Sequence, residues 1–409
     1  MATTKDPQLI QLSSGVRLVH LRQPGAGLGV FGIAVRAGSA DERAGEFGLA
    51  HLVEHTIFKG TIHRSSWNII NRMESVGGEL NAYTTKEETV VYSIFPTGNA
   101  ARAIELIADL ACNSAFPEKQ IVKEREVVVD EIMSYYDTPS EAIFDDFEDH
   151  IYAGTPLGHN ILGYPETVEK LTSEDCRNFL LDFYAKDNIV VFYAGNLSGT
   201  SVGKMVDRHF NSLNEHCNRR EVGPVEVKPF VLTQKKPIHQ AHIIHGVATG
   251  GIYSHDRYAV GLFANLIGGP GMNSLLNVEL RERRGLVYNV EASTAMYTAG
   301  GLLTVYYGCD PEDVPQCTML CKRTFERIAD GELTTRRLEM AKKQYIGQLA
   351  IASENMENAI MSAARATLFR GNPLTQSATI DNIMGVERSA IIELASQAAN
   401  PSTLSFLPE

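Results

Sequence analysis

No stretch of this chain approaches the roughly 18 consecutive apolar residues that a bilayer-crossing helix needs, so a membrane partner is not expected. The N-terminus, Met1 to Asp6, lacks a basic segment followed by an apolar one, and the chain is expected to be cytoplasmic. The six cysteines (Cys112, Cys176, Cys217, Cys309, Cys317 and Cys321) contain no C-x-x-C pair, which suits a reducing compartment. Cys317 and Cys321 share a helical face, but without a second pair a cysteine metal site is not expected. Blocks of Lys or Arg are missing too. The balance of 37 basic against 49 acidic residues gives a formal charge of −12, with no phosphate-binding footprint, so nucleic acid is not expected as a partner. Such a charge biases the protein towards cationic ligands.

What is present describes a folded globular protein: 44% hydrophobic and 21% charged residues in 409, too long for one ordinary core. Short apolar runs at Val16 to Leu21, Val30 to Ala37 and Thr89 to Phe95 predict strands. Longer amphipathic stretches at Gly48 to Lys59, Ala100 to Cys112 and Glu118 to Tyr136 predict helices. The same order restarts after about residue 230. A shift of 217 lays Ala142-Ile143 on Ala359-Ile360 and Gly154 on Gly371, and a shift of 215 lays Thr89, Tyr92 and Pro96 on Thr304, Tyr307 and Pro311. Two homologous halves follow, residues 1–212 and 233–409, joined by a charged, Asn- and Pro-rich linker at 213–232.

The first half carries His51-Leu52-Val53-Glu54-His55, whose imidazoles stand four residues apart on one helical face and can reach one ion. Glu54 borders that face and suits a general base towards water at a metal, in the inverted zincin order. A catalytic metal wants a third protein ligand. Glu124 and Glu131 offer candidates on the helix Glu118 to Tyr136, about 10 Å apart along its axis. One can ligate and the other can orient a ligand histidine, and spacing does not choose between them. In the second half, a shift of 211 lays His51, Glu54 and His55 on Leu262, Asn265 and Leu266, while a shift of 217 lays Glu124 and Glu131 on Ala341 and Gln348. The acidic and imidazole set is absent from the copy while the apolar positions persist, which argues for chemistry rather than scaffold.

That second half contains the glycine-rich Gly268 to Ser274, followed by Leu280 to Tyr288. Neither G-K-[ST] nor a G-x-G-x-x-G register follows, so a nucleotide is not expected. Arg281 and Tyr288 could project together from a helix and its exit as a cation and a phenol, although spacing alone favours a solvated arginine run beside a core tyrosine. His239, His242 and His245, spaced by three, read as strand residues, and His159 as a substrate-side candidate.

Taken together with Gly77-Gly78-Glu79-Leu80-Asn81-Ala82-Tyr83-Thr84 and Pro156-Leu157-Gly158, these motifs resemble the pitrilysin and insulysin family of zinc peptidases over nearly the whole chain. The mitochondrial-processing-peptidase-like branch is the most similar. The resemblance implies an α+β fold, with two α/β-roll halves, each an antiparallel sheet flanked by helices, closing like a clamshell around an unfolded peptide. It implies one Zn²⁺ per chain held by His51, His55 and Glu131, with Glu54 as base and Glu124 as supporting carboxylate. Asn81, Ala82, Tyr83 and Thr84 match the edge strand that pairs with substrate, and Arg281 and Tyr288 match the substrate contacts from the second half. Glu141 and Asp145 resemble carboxylates that accept an arginine near the cleaved bond. The implied activity is a zinc-dependent endopeptidase for short or unfolded peptides, working as a homodimer. The alternatives are a non-catalytic structural or assembly subunit, or activity only with a partner chain; the complete metal set favours the enzyme.

Overall fold

The apolar runs of the sequence become the central strands of two sheets in the computed structural model, which describes residues 6–219 and 223–409. Residues 1–5 of the N-terminal segment and 220–222 of the expected linker lie outside the described residues. The first sheet holds β1 (Gln8–Gln11), β2 (Arg17–Arg22), β3 (Leu28–Val35), β4 (Glu79–Thr84), β5 (Thr89–Pro96) and β6 (Ile189–Gly195), in the order β1-β2-β6-β3-β5-β4. Every residue of β6 is buried, as is all of β3 after Leu28, because helices cover both faces of this part of the sheet. Strands buried on both faces read as continuous apolar runs rather than alternating ones. At one margin lies β4, whose residues beyond Glu79 are all half-buried.

The second sheet holds β7 (Val231–Lys236), β8 (Ala241–Thr249), β9 (Val287–Met296), β10 (Gly301–Cys309) and β11 (Ser402–Pro408), in the order β7-β11-β8-β10-β9. Apart from the extra strand β1, the two sheets run in the same order. Each also has one parallel neighbour pair at the matching place, β2 with β6 and β7 with β11, while all other pairs are antiparallel. The fold is α+β as expected, its sheets antiparallel save for that one pair in each.

The two compact units are not contiguous in sequence. The first comprises Met1–Met133, His159–Glu221 and Ile351–Gln376; the second comprises Ser134–Gly158, Val222–Ala350 and Ser377–Glu409. The helix Met356–Arg370 from the second half therefore packs on β2, β3 and β6, and the helix Pro139–Ile151 from the first half packs on β8 and β11. This division differs from the contiguous 1–212 and 233–409 by the exchange of those segments. A repeat search follows order along the chain and carries no information about which half a helix packs against.

Candidate metal centre

His51, Glu54 and His55 stand on the helix Leu49–Thr56, which buries Leu49, Ala50, Leu52 and Val53 in the core of the first unit. That burial leaves one seam of the helix for the imidazoles. Facing it is the helix Glu118–Tyr136, whose core stripe runs through Ile121, Glu124, Val128 and Ile132. Glu124 is thus a carboxylate on a buried face, and such a group must be paired. Its Oε1 lies 2.8 Å from Lys59 Nζ and its Oε2 lies 3.5 Å from His55 Nδ1. Glu131, two turns further on, is nearly half exposed, and its Oε2 lies 3.3 Å from His55 Nε2 and 3.9 Å from His51 Nε2.

The three donors His51, His55 and Glu131 lie within 4.8 Å of one another and could hold a metal ion. Ligands about 2.0–2.2 Å from a tetrahedral ion stand about 3.3–3.6 Å apart, which the imidazole and carboxylate separations approach. Two imidazoles and one carboxylate suit zinc and neighbouring divalent ions. His51 is 6% exposed and burial, reinforced by the His55 ring, pushes its imidazole down to about 3. It is therefore neutral at ordinary pH, the form in which a histidine can ligate.

Glu54 lies on the same helix, and burial raises its carboxyl above the ordinary value; Thr84 and His55 oppose that shift, while Glu131 adds to it. The influence of Thr84 places the end of β4 beside the Glu54 carboxylate. Asn81, Ala82, Tyr83 and Thr84 all lie on β4, the margin of the sheet, with β5 as their only strand partner among the described residues.

Arg281 and Tyr288 lie in the second unit. Arg281 is in a π-helical segment, Asn277–Glu282, and Tyr288, 57% exposed, is in β9, where its hydroxyl donates to Asp310 Oδ1 at 3.1 Å. Spacing had suggested a core tyrosine there, and the marginal position of β9 explains the exposure. Glu141 and Asp145 stand on the helix Pro139–Ile151, also in the second unit. Elsewhere on that helix Asp146 faces Lys236 at 3.8 Å, and Glu148 accepts from the Tyr297 hydroxyl at 2.8 Å. The positions in the second unit that match Glu54 and Glu131 form a neutral pair: Asn265 Nδ2 donates to Gln348 Oε1 at 2.6 Å.

Of two further residues at the start of this helix, sequence reasoning missed one and read the other in a different role. Glu42, with a fully buried side chain, accepts from the Gly48 and Ala50 N–H groups at 3.0 and 2.8 Å, at the start of the metal-site helix. His159, read as a substrate-side candidate, is instead 4% exposed and packed beneath that helix, its Nε2 3.1 Å from Glu42 Oε2. No periodicity marks either residue; Gly48, a helix start with no side chain to cap it, was the available signal.

Comparison with known proteins gives two family matches: "Insulinase (Peptidase family M16)" over residues 19–165 and "Peptidase M16 inactive domain" over residues 170–345. A Bacillus subtilis protein named an uncharacterized zinc protease is 30% identical over 385 residues, covering 94% of this chain and 93% of its own length. A Rickettsia bellii protein of the same description is 28% identical over 398 residues, covering 97% and 95%. Among solved structures, a peptidase M16 inactive domain from Pseudomonas fluorescens superposes with a TM-score of 0.90 at 16% identity, covering 99% of this chain and 98% of its own. A protease from Helicobacter pylori gives 0.89 at 19% identity, covering 99% and 100%. A chain of complex III2 from Candida albicans gives 0.85 at 17% identity, covering 97% and 94%.

Proposed function

The chain belongs to the insulinase family of peptidases, family M16, and on that basis we propose that it is a zinc-dependent endopeptidase acting on short or unfolded peptides. The observation that carries the reading is the convergence of His51, His55 and Glu131 on one point, with Glu54 on the same helix. Zinc is the proposed metal because the relatives are named zinc proteases and the donor set suits it. Bound there, zinc would supply Lewis acidity towards the scissile carbonyl and make a nearby water easier to deprotonate.

The residues of the chain do the rest. Glu54 takes the proton of the attacking water on a carboxylate oxygen and passes it to the leaving amine, and burial, which raises its carboxyl, strengthens it as a base. Glu124 holds the Nδ1 edge of His55 and leaves Nε2 for the ion. The margin formed by Asn81 to Thr84 suits a peptide adding as a further strand, where main-chain bonds give affinity without strict side-chain choice. Arg281 and Tyr288 are proposed as substrate contacts, and Glu141 and Asp145 are proposed to favour basic residues near the cleaved bond.

The test is hydrolysis of a quenched, unstructured, arginine-containing peptide by the purified zinc-loaded chain, beside Glu54→Gln and a chelated sample. The wild-type chain should cleave, and both controls should lose at least about 100-fold in rate. Cleavage that survives Glu54→Gln would refute the proposal, and a zinc-loaded wild-type chain that cleaves nothing would instead favour a scaffold role.

A further inference from the structure

The helix that carries His51, Glu54 and His55 is only eight residues long and begins at Gly48, in the left-handed region at φ 95°, with no side chain of its own to satisfy the first N–H groups. Helices this short are marginal in isolation, so an external cap matters more than usual. Glu42 supplies it from a preceding loop, placing a carboxylate at the positive end of the helix dipole. His159 then fixes Glu42. Its Nε2 lies 3.1 Å from Glu42 Oε2 and 2.9 Å from the Ser39 carbonyl oxygen, and since a carbonyl only accepts, Nε2 carries the hydrogen. The imidazole stacks on Phe47 with ring centres 4.2 Å apart. On its other side the backbone oxygen of His159 accepts from Lys86 Nζ, and Lys86, 1% exposed, lies in the turn between β4 and β5. Ser39 N–H and Ala40 N–H donate to the Thr85 and Lys86 carbonyls of the same turn, at 3.2 and 2.7 Å.

We propose that Glu42, His159 and Lys86 are positioning residues: they clamp the start of the metal-site helix to the turn after β4, and so hold Glu54 in register with the strand margin beside it. Burying a carboxylate, an ammonium and an imidazole together is costly unless each is paired. Here each partner is part of the geometry, because one end of the chain of bonds is the helix that bears the base and the other is the strand that ends at Thr84. The inference rests on the peptidase reading, for which helix and strand must present base and peptide to one another.

The experiment compares His159→Phe, which keeps an aromatic ring over Phe47 but loses the N–H donor, with His159→Gln, which restores a donor. Zinc-loaded chains are assayed for kcat and KM on the quenched peptide, and cobalt-loaded chains by their visible absorption bands, which report ligand geometry without catalysis. His159→Phe should lower kcat by about 10- to 100-fold, as small misplacements do, with KM little changed and the cobalt bands shifted. His159→Gln should recover most of both. Wild-type kcat and wild-type bands in His159→Phe would overturn the clamp, as would a loss that His159→Gln does not relieve. Should His159→Phe fail to fold, Lys86→Met decides by the same readouts: a fall in kcat at constant KM supports the clamp, and no change overturns it. A wild-type chain without Glu54-dependent cleavage refutes the peptidase reading alone, and the cobalt bands of the variants still decide the clamp.

Discussion

His55 uses both edges of its ring, Nδ1 towards Glu124 and Nε2 towards Glu131, and so ties together two carboxylates that stand two turns apart on one helix. That single side chain sets both acidic residues against one imidazole, at its opposite edges. Burial also acts on a histidine of the second sheet. His245, 4% exposed on β8, is hydrogen-bonded to the Thr403 and Tyr307 hydroxyls, and burial pushes its imidazole from 6.5 down to about 4. Between those values the unfolded chain binds the proton and the folded one does not. This contribution to stability is present above pH 6.5 and is lost as pH falls towards 4, by at most about 1.4 kcal/mol per pH unit. Urea unfolding midpoints measured from pH 7 to pH 4 should therefore fall less steeply in His245→Gln than in the wild-type chain; equal slopes would show that His245 titrates alike in both states.

At the scale of elements, the metal-site helix depends on where it starts. Gly48 sits at φ 95°, and a Cβ there would meet the Leu162 carbonyl oxygen at 2.6 Å, so Gly48→Ala should cost about 1–3 kcal/mol and lower the thermal midpoint. Gly25, with open space around it and no positive φ, is the control, and Gly25→Ala should stay within about 0.5 kcal/mol. An equal effect at both sites would remove the argument from the Leu162 contact. The start of this helix also separates what was legible in the sequence from what was not. His51 and His55 announced themselves because a four-residue spacing on a helix is a geometric statement. Glu124 and Glu131 did not separate, because both lie on one face, and only His55 on the opposing helix and Lys59 in the turn after it tell them apart. Glu42 and His159 left no periodic trace at all, because both act from loops far apart in sequence.

The internal repeat governs the whole molecule, and its two copies have diverged in chemistry rather than in topology. Strand order and the single parallel pair are kept, while the counterparts of Glu54 and Glu131 are the neutral Asn265 and Gln348, bonded to each other. The two amides bond to each other and carry no charge, so these positions of the second unit lack the carboxylates that could hold a metal. What the repeat could not announce is the exchange of helices. The segment Ile351–Gln376 belongs to the first unit, where Arg365 Nε lies 3.3 Å from Glu88 Oε1 and the Tyr92 hydroxyl donates to Glu357 at 2.8 Å. The segment Ser134–Gly158 belongs to the second, where Phe147 packs on Phe230 and would strike a Cβ at Gly246. A chain cut at the linker therefore deprives each half of a helix that covers its sheet, leaving β2, β3 and β6 of one fragment and β8 and β11 of the other with apolar surface in water. Fragments 1–212 and 233–409 should each aggregate or remain unfolded when expressed alone, and should regain cooperative unfolding and far-ultraviolet circular dichroism when co-expressed. If fragment 1–212 folded alone with the stability of the intact chain, the exchanged helix would be an accessory to the first unit and not part of its core.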